Sequence, residues 1–228
     1  MWSSVGAVLF DLDGVITPTA DLHQRAWLEA LSDYSASTDD YHAFIDGRPR
    51  VDGVRGFLRG RDIDLPEGSP DDDPSVPSVH GIAARKNALF LEILQREPFA
   101  AYPGSLRVLD FLDDQGTPFA LVTSSKNAEA VLTSSGLHER FQVVVDGNRA
   151  HQERLAGKPS PDTYLRAASL LGFPPQQCAV VEDAVSGISS GRSGRFGLVL
   201  GVDRGVGREA LISAGADLVV QDLDETLY

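Results

Sequence analysis

The stretch "VLFDLDGVIT", Val8 to Thr17, runs Val, Leu and Phe into two aspartates and a glycine. Carboxylates two residues apart at the end of a buried strand repel each other and resist desolvation. A cation, a substrate or water at an ordinary turn has to offset them. Two more polar groups end apolar runs further along, Thr123-Ser124-Ser125-Lys126-Asn127 and Glu182-Asp183, and Lys158 in "GKPSPD" lies in the loop between the third run and the next helix, facing the same edge. Asp11 and Asp183 are hard oxygen ligands, the kind that suits Mg²⁺ better than a soft metal. Lys158 and the Thr123 hydroxyl could hold the oxygens of a phosphate. Phosphoryl transfer needs that combination of charge neutralisation and positioning. An Asp-x-Asp alone also marks common turns; four such pieces in order at strand ends point to chemistry.

The elements that must position these residues are readable. Apolar runs recur at 5–10, 118–123, 142–146, 178–182, 196–201 and 217–220. They are unbroken rather than alternating, as in parallel strands buried on both faces. Helical patterns lie between them. "SLRVLDFLDDQG" ends at Gly116, "NAEAVLTSSGL" at Gly136, and "SPDTYLRAASLLG" opens with Ser160 as N-cap and closes at Gly172. The pattern predicts a doubly wound α/β fold with a mainly parallel sheet, whose ligands bind at the carboxyl ends of the strands. Asp11 and Asp13 then point to one side of the first strand.

About a hundred residues between the first strand and Pro118 carry no convincing strand. "TADLHQRAWLEALSDY", "YHAFIDGRPRVDGVRGFLRG" and "VHGIAARKNALFLEILQRE" read as helices of a domain inserted at 18–96, leaving 1–17 and 97–228 as the core. The intervening "LPEGSPDDDPSVPS" reads as a solvated surface loop. Gly14 and the segment around Pro98 and Pro103 are candidate hinges.

Composition excludes several other classes. The net charge of −13 argues against a general nucleic-acid binder, which needs a basic face. A single cysteine, Cys178, permits no internal disulfide and no thiolate cluster, and its apolar surroundings predict core packing. The five histidines show no zinc-type pairing. Gly157-Lys158 lacks the glycine spacing of a P-loop. "SGISSGRSGRFG" reads as a helix end running into a turn rather than a dinucleotide fingerprint. No leader-like opening and no membrane-length apolar run is visible, so the expectation is a cytoplasmic monomer with a small-molecule substrate.

"FDLDGVIT", "TSSKN", "GKPSPDTY" and "VVEDAVSGI" resemble, in order and spacing, the four motifs of the haloacid dehalogenase superfamily. The inserted helical cap is similar to that of its β-phosphoglucomutase-like branch, which implies a Rossmann-like core. The resemblance implies that Asp11 attacks phosphorus and becomes an aspartyl phosphate, while Asp13 serves as general acid and base. It implies Mg²⁺ bound by the Asp11 carboxylate, the Asp13 carbonyl and Asp183, with Glu182 nearby. Thr123 and Lys158 match the positions that hold the transferring phosphate.

The same resemblance bears on the acceptor. Arg50 aligns with a cap arginine that grips the distal phosphate, and Ser125, Lys126 and Asn127 match the core residues completing that site. Thr19, His23 and Lys86 match cap residues that could couple closure to the placement of Asp13. Arg55, Arg59 and Arg61 are expected on a solvated basic face instead. The expected reaction is interconversion of β-glucose 1-phosphate and glucose 6-phosphate. A sugar-phosphate phosphatase is the alternative, and a non-catalytic binding protein is disfavoured because Asp11, Asp13, Lys158 and Asp183 are all present. Two departures stand out: Pro18 replaces the aspartate common after the first motif, and the loop "EGSPDDDPSVPSVHG" is long. The segment "DGRPRVDGVRGFLRGRDIDLPEG" also resembles hydrolases of this branch associated with trehalose metabolism.

Overall fold

The computed structural model describes residues 1–227. Its centre is a six-stranded, all-parallel sheet in the order β3-β2-β1-β4-β5-β6. The strands are β1 (Ala7–Phe10), β2 (Phe119–Val122), β3 (Val144–Val145), β4 (Cys178–Glu182), β5 (Leu198–Val202) and β6 (Leu218–Val220). Each falls within or beside one of the six apolar runs. Their unbroken apolarity has the expected cause, because both faces are covered. Val8 and Phe10 pack into one core cluster, while Ala7 and Leu9 pack into the other.

Helices α5 (Pro103–Asp114) and α6 (Ala128–Ser134) cover the first face through Val108, Leu109, Leu112, Val131 and Leu132. The second face is covered by α8 (Asp162–Leu171), α9 (Val185–Ser193) and α10 (Arg208–Ala214), with Tyr164, Ile188 and Leu211 inward. Short α7 (Gly147–Glu153) follows β3 and is capped by Asp146, whose carboxylate accepts from the Arg149 amide at 2.8 Å. Gly172 closes α8 at φ +81°, the left-handed conformation that favours glycine. The start of α8 differs from expectation. It begins at Asp162 after Pro161, and the Ser160 hydroxyl donates to the Asp162 carboxylate at 2.8 Å instead of capping the helix.

Between β1 and α5 lie α1 (Thr19–Ala30), α2 (Thr38–Asp40, continuing as one wide turn over Tyr41–Ile45), α3 (Arg50–Gly60) and α4 (Val79–Arg96). Trp27, Leu31, Ile45, Phe57 and Ile82 form a third apolar cluster within this insertion. Leu22, Ala26, Phe90 and Leu94 on the same helices pack instead with the sheet-side core. The helical segment 41–60, in which Gly47 and Pro49 read as a stiff turn presenting Arg50, is broken at Asp46–Pro49. Gly47 sits at φ +69°, and a residue before proline is steered out of the helical region. The acidic loop behaves as expected, with Asp71 and Asp73 exposed. Arg55 pairs with Asp52 and Glu67, Arg61 pairs with Asp40, and Arg59 is exposed. Among the described residues no helix is long and apolar enough to cross a membrane.

Candidate active site

The strand order reverses between β1 and β4, which opens a crevice at their carboxyl ends. Asp11 lies just past β1, where its backbone amide still donates to the Val181 carbonyl of β4 at 2.9 Å. That bond places Asp11 beside Glu182 and Asp183. Gly14 turns the chain at φ +88°, and a Cβ there would lie 1.8 Å from Asp183 Oδ2. The motif therefore needs glycine for its backbone angle and for the close approach of an acid.

Lys158 answers the charge problem of Asp11. Its ammonium, 2% exposed, contacts Asp11 Oδ1, lies 2.5 Å from Glu182 Oε1 and donates to the Val122 carbonyl at 3.2 Å. Burial alone would depress this ammonium, but Asp11 and Glu182 more than offset it and keep Lys158 charged. Glu182 also accepts from the Tyr164 hydroxyl at 2.7 Å and, on its other oxygen, from the amides of Asp183 and Ala184. Asp11, Glu182 and Asp183 each offer a carboxylate oxygen within 4.8 Å of the others. Burial pushes the carboxyls of Asp11 and Asp183 upward, and neighbouring acids reinforce it. A buried all-oxygen trio short of positive charge fits a hard divalent cation such as Mg²⁺.

Asp13 has separate partners, all from the insertion. Thr19 donates to its Oδ1 at 2.5 Å, and His23 Nε2 lies 3.4 Å from the same oxygen. Burial pushes this carboxyl up, but His23, Thr19 and Lys86 outweigh burial and bring it down to about 2. Lys86 stands 2.5 Å from His23 Nδ1 and 4.6 Å from the centre of the Phe90 ring. Its ammonium is held well below its usual range by burial and by Arg50.

One cleft of about 610 Å³ is lined by Asp11, Asp13, Asp183, Thr123 and Lys158, and also by His23, Lys86, Arg50, Ser125 and Lys126. Thr123, 2% exposed, accepts from the Ser125 amide at 3.1 Å. Arg50 opens α3, and burial lowers its guanidinium to about 10. Among the described residues neither Arg50 nor Lys126 has a carboxylate partner, whereas Arg55 and Arg61 do. Three expected site residues stand behind the lining. Glu182 is fully buried among Lys158, Tyr164 and backbone amides. Thr19 is buried and bonded to Asp13. Asn127, expected at a distal phosphate, donates its side-chain amide to Asn87 of α4 at 2.9 Å.

The family model for haloacid dehalogenase-like hydrolases matches residues 5–195. The chain belongs to that family. Within it, the chain is 43% identical over 241 aligned positions to a protein named beta-phosphoglucomutase from Mycobacterium bovis, covering 98% of this chain and 92% of the relative. It is 34% identical to hexitol phosphatase A of Escherichia coli, over 80% of this chain and 76% of that one. A solved structure of beta-phosphoglucomutase from Clostridium difficile superposes with a TM-score of 0.78 at 25% identity, covering 97% and 92% of the two chains. The haloacid dehalogenase-like fold explains why the four motif segments converge on one crevice.

Some residues that shape this family site in the present chain carried no recognised sequence signal. Arg204 donates to the Gly14 carbonyl and to the Gln221 carbonyl, both at 2.9 Å, and stacks 3.8 Å over the Tyr102 ring. It thereby pins the turn that carries Asp13, from the loop after β5. Tyr164 was visible within "GKPSPDTY", but its hold on Glu182 was not. Tyr41 and Asp46 reach the cleft from the broken segment of the insertion.

Proposed function

We propose that this chain moves a phosphoryl group on a sugar phosphate through Asp11, as a β-phosphoglucomutase that interconverts β-glucose 1-phosphate and glucose 6-phosphate. The observation that carries the reading is the second set of cations in the same cleft. Lys158 is already committed to Asp11 and Glu182. Arg50 and Lys126 line the cleft without a carboxylate partner among the described residues. A half-buried guanidinium without a counter-charge is costly, and a second phosphate would supply that charge in a bidentate fork. A bisphosphate intermediate has two phosphates to hold; simple hydrolysis needs only one.

Asp11 Oδ attacks phosphorus, and the bond to the leaving oxygen breaks as Asp13 delivers its proton there. In the return step Asp13, its carboxyl held low by His23, Thr19 and Lys86, takes the proton of the acceptor hydroxyl while that oxygen displaces Asp11, and this is the proton it delivers to the leaving oxygen of the next transfer. Thr123 and Lys158 hold the transferring phosphoryl group, and Ser125 assists at the distal phosphate. Thr19, His23 and Lys86 tie the insertion, acting as a cap, to the carboxylate that moves the proton. Asp11, Glu182, Asp183 and the Asp13 carbonyl would hold Mg²⁺. When bound, the ion supplies neutralisation of the phosphoryl oxygens. The working unit in this reading is the monomer, since one chain carries the whole cleft.

The test is turnover of β-glucose 1-phosphate with Mg²⁺ and a trace of β-glucose 1,6-bisphosphate, following glucose 6-phosphate and free phosphate together. Glucose 6-phosphate without matching phosphate release is expected. Phosphate release that outruns isomerisation would establish a sugar-phosphate phosphatase instead. Arg50→Ala is expected to lower isomerisation at least 100-fold, since a charge-assisted bidentate contact contributes roughly 3 kcal/mol.

A further inference from the structure

The break in the insertion at Asp46–Pro49 is seated on the core in an unusual way. The Ser186 hydroxyl donates to the Asp46 carbonyl at 2.7 Å, and the Ser124 hydroxyl donates to the Gly47 carbonyl at 2.8 Å. Two core side chains thus hold two consecutive carbonyls of one turn. The fit around them is close. A Cβ on Gly47 would come within 2.4 Å of Ser186 Oγ and 2.9 Å of Ala184 Cβ. On the far side, a Cβ on Gly157 would lie 2.1 Å from Pro49 Cγ.

The turn therefore touches three core loops, each next to a residue of the reacting centre. Ser124 follows Thr123, Ala184 and Ser186 follow Asp183, and Gly157 precedes Lys158. Arg50 begins α3 directly after the turn, so whatever fixes the turn also fixes where Arg50 enters the cleft. The insertion side of the turn is anchored too, by the Asp46 amide to the Tyr41 carbonyl at 2.9 Å and the Arg48 amide to the Ile45 carbonyl at 3.1 Å.

We propose that Ser124 and Ser186 are positioning residues that decide which acceptor takes the phosphoryl group from Asp11, by holding the Asp46–Gly47 turn shut against the core. The inference rests on the mutase reading above. With the turn held, the acceptor is a sugar hydroxyl: its oxygen forms the new bond to phosphorus, the Asp11–phosphorus bond breaks, and its proton passes to Asp13. With the turn released, water takes the same place, loses its proton to the same group, and inorganic phosphate leaves. Closure against the three loops excludes that water. Two neutral hydrogen bonds suit a cap that must also reopen, because each contributes little net stability.

The experiment compares the full-length chain with Ser124→Ala, Ser186→Ala and the double variant. Free phosphate and glucose 6-phosphate are followed in one sample, and the radius of gyration is measured by small-angle scattering without substrate. Ser124→Thr keeps a hydroxyl and serves as the rescue. The double variant is expected to raise the ratio of phosphate to glucose 6-phosphate at least tenfold and to expand in scattering. Ser124→Thr should keep the parent ratio. A merely structural role would lower both products together and leave their ratio alone. An unchanged ratio and radius in the double variant, with a parent that isomerises, overturns the proposal. A parent that only releases phosphate overturns the mutase reading and the acceptor role with it. In that case the scattering still decides whether the two hydroxyls hold the turn.

Discussion

Each acid of the candidate site has its own source of compensation, and these sources differ in kind. Asp11 and Glu182 share one buried ammonium, Lys158, whereas Asp13 leans on Thr19 and His23. A nucleophile and a proton carrier can then sit two residues apart with different charge states available to them. Asp11→Asn is expected to abolish turnover while leaving the far-ultraviolet dichroism and the unfolding transition close to the parent's. Appreciable residual turnover would remove Asp11 from its role. Lys158→Met leaves two carboxylates buried without their cation, a loss of about 3–5 kcal/mol. In a chain of this size that lowers the melting temperature by roughly 6–20 °C. Added Mg²⁺ is expected to raise the melting temperature of Lys158→Met more than that of the parent, because the ion restores positive charge to the same oxygens. Calorimetry with and without the ion measures both effects.

At the scale of elements, the decisive feature is where helices stop. Between the wide turn over Tyr41–Ile45 and α3, the chain turns at Gly47 and Pro49 and lays Arg50 at the start of a new helix. A continuous helix over 41–60 would carry no such turn onto the core. Gly47→Ala puts a methyl group into a φ of +69° and against Ser186 Oγ and Ala184 Cβ. The expected result is a fall in isomerisation of tenfold or more and weaker inhibition by inorganic phosphate, with stability lowered by only about 1–2 kcal/mol. Gly187 obeys the same logic within the core, since a Cβ there would lie 1.9 Å from Glu182 Oε1. Both glycines were legible as turn or helix residues. Their close neighbours were not.

For the whole molecule, the question is whether the insertion is an independent folding unit. Its own cluster around Trp27, Phe57 and Ile82 suggests independence. Leu22, Ala26, Phe90 and Leu94 on the same helices, packed into the sheet-side core, oppose it. The shared packing predicts one cooperative transition. The two tryptophans divide the labour of reporting, Trp27 in the insertion and Trp2 in the sheet-side core. Cys178 adds a chemical probe on β4, with its thiol pushed up by burial to about 11. Phe57→Ala, at a side chain with no exposure, is expected to cost about 3–5 kcal/mol. Trp27 fluorescence and Cys178 labelling should then move together to lower denaturant. Separation of the two curves would show that the insertion melts alone.

What the sequence determined by itself is the set of features whose cause is local. The six strands were legible because burial on both faces demands unbroken apolar runs, and Asp11, Asp13, Thr123 and Asp183 were legible because they end those runs. Helix stops at Gly116, Gly136 and Gly172 followed from the left-handed conformation glycine adopts there. Tertiary structure alone decided the pairings between distant segments. Nothing local places Lys158 between Asp11 and Glu182, turns Asn127 toward Asn87, or brings Arg204 to the Gly14 carbonyl across 190 residues of chain. The serines that hold the Asp46–Gly47 turn lie 140 and 77 residues from the carbonyls they bind. A hydroxyl and a carbonyl are among the commonest groups in any chain, so only the folded path can say which two of them meet.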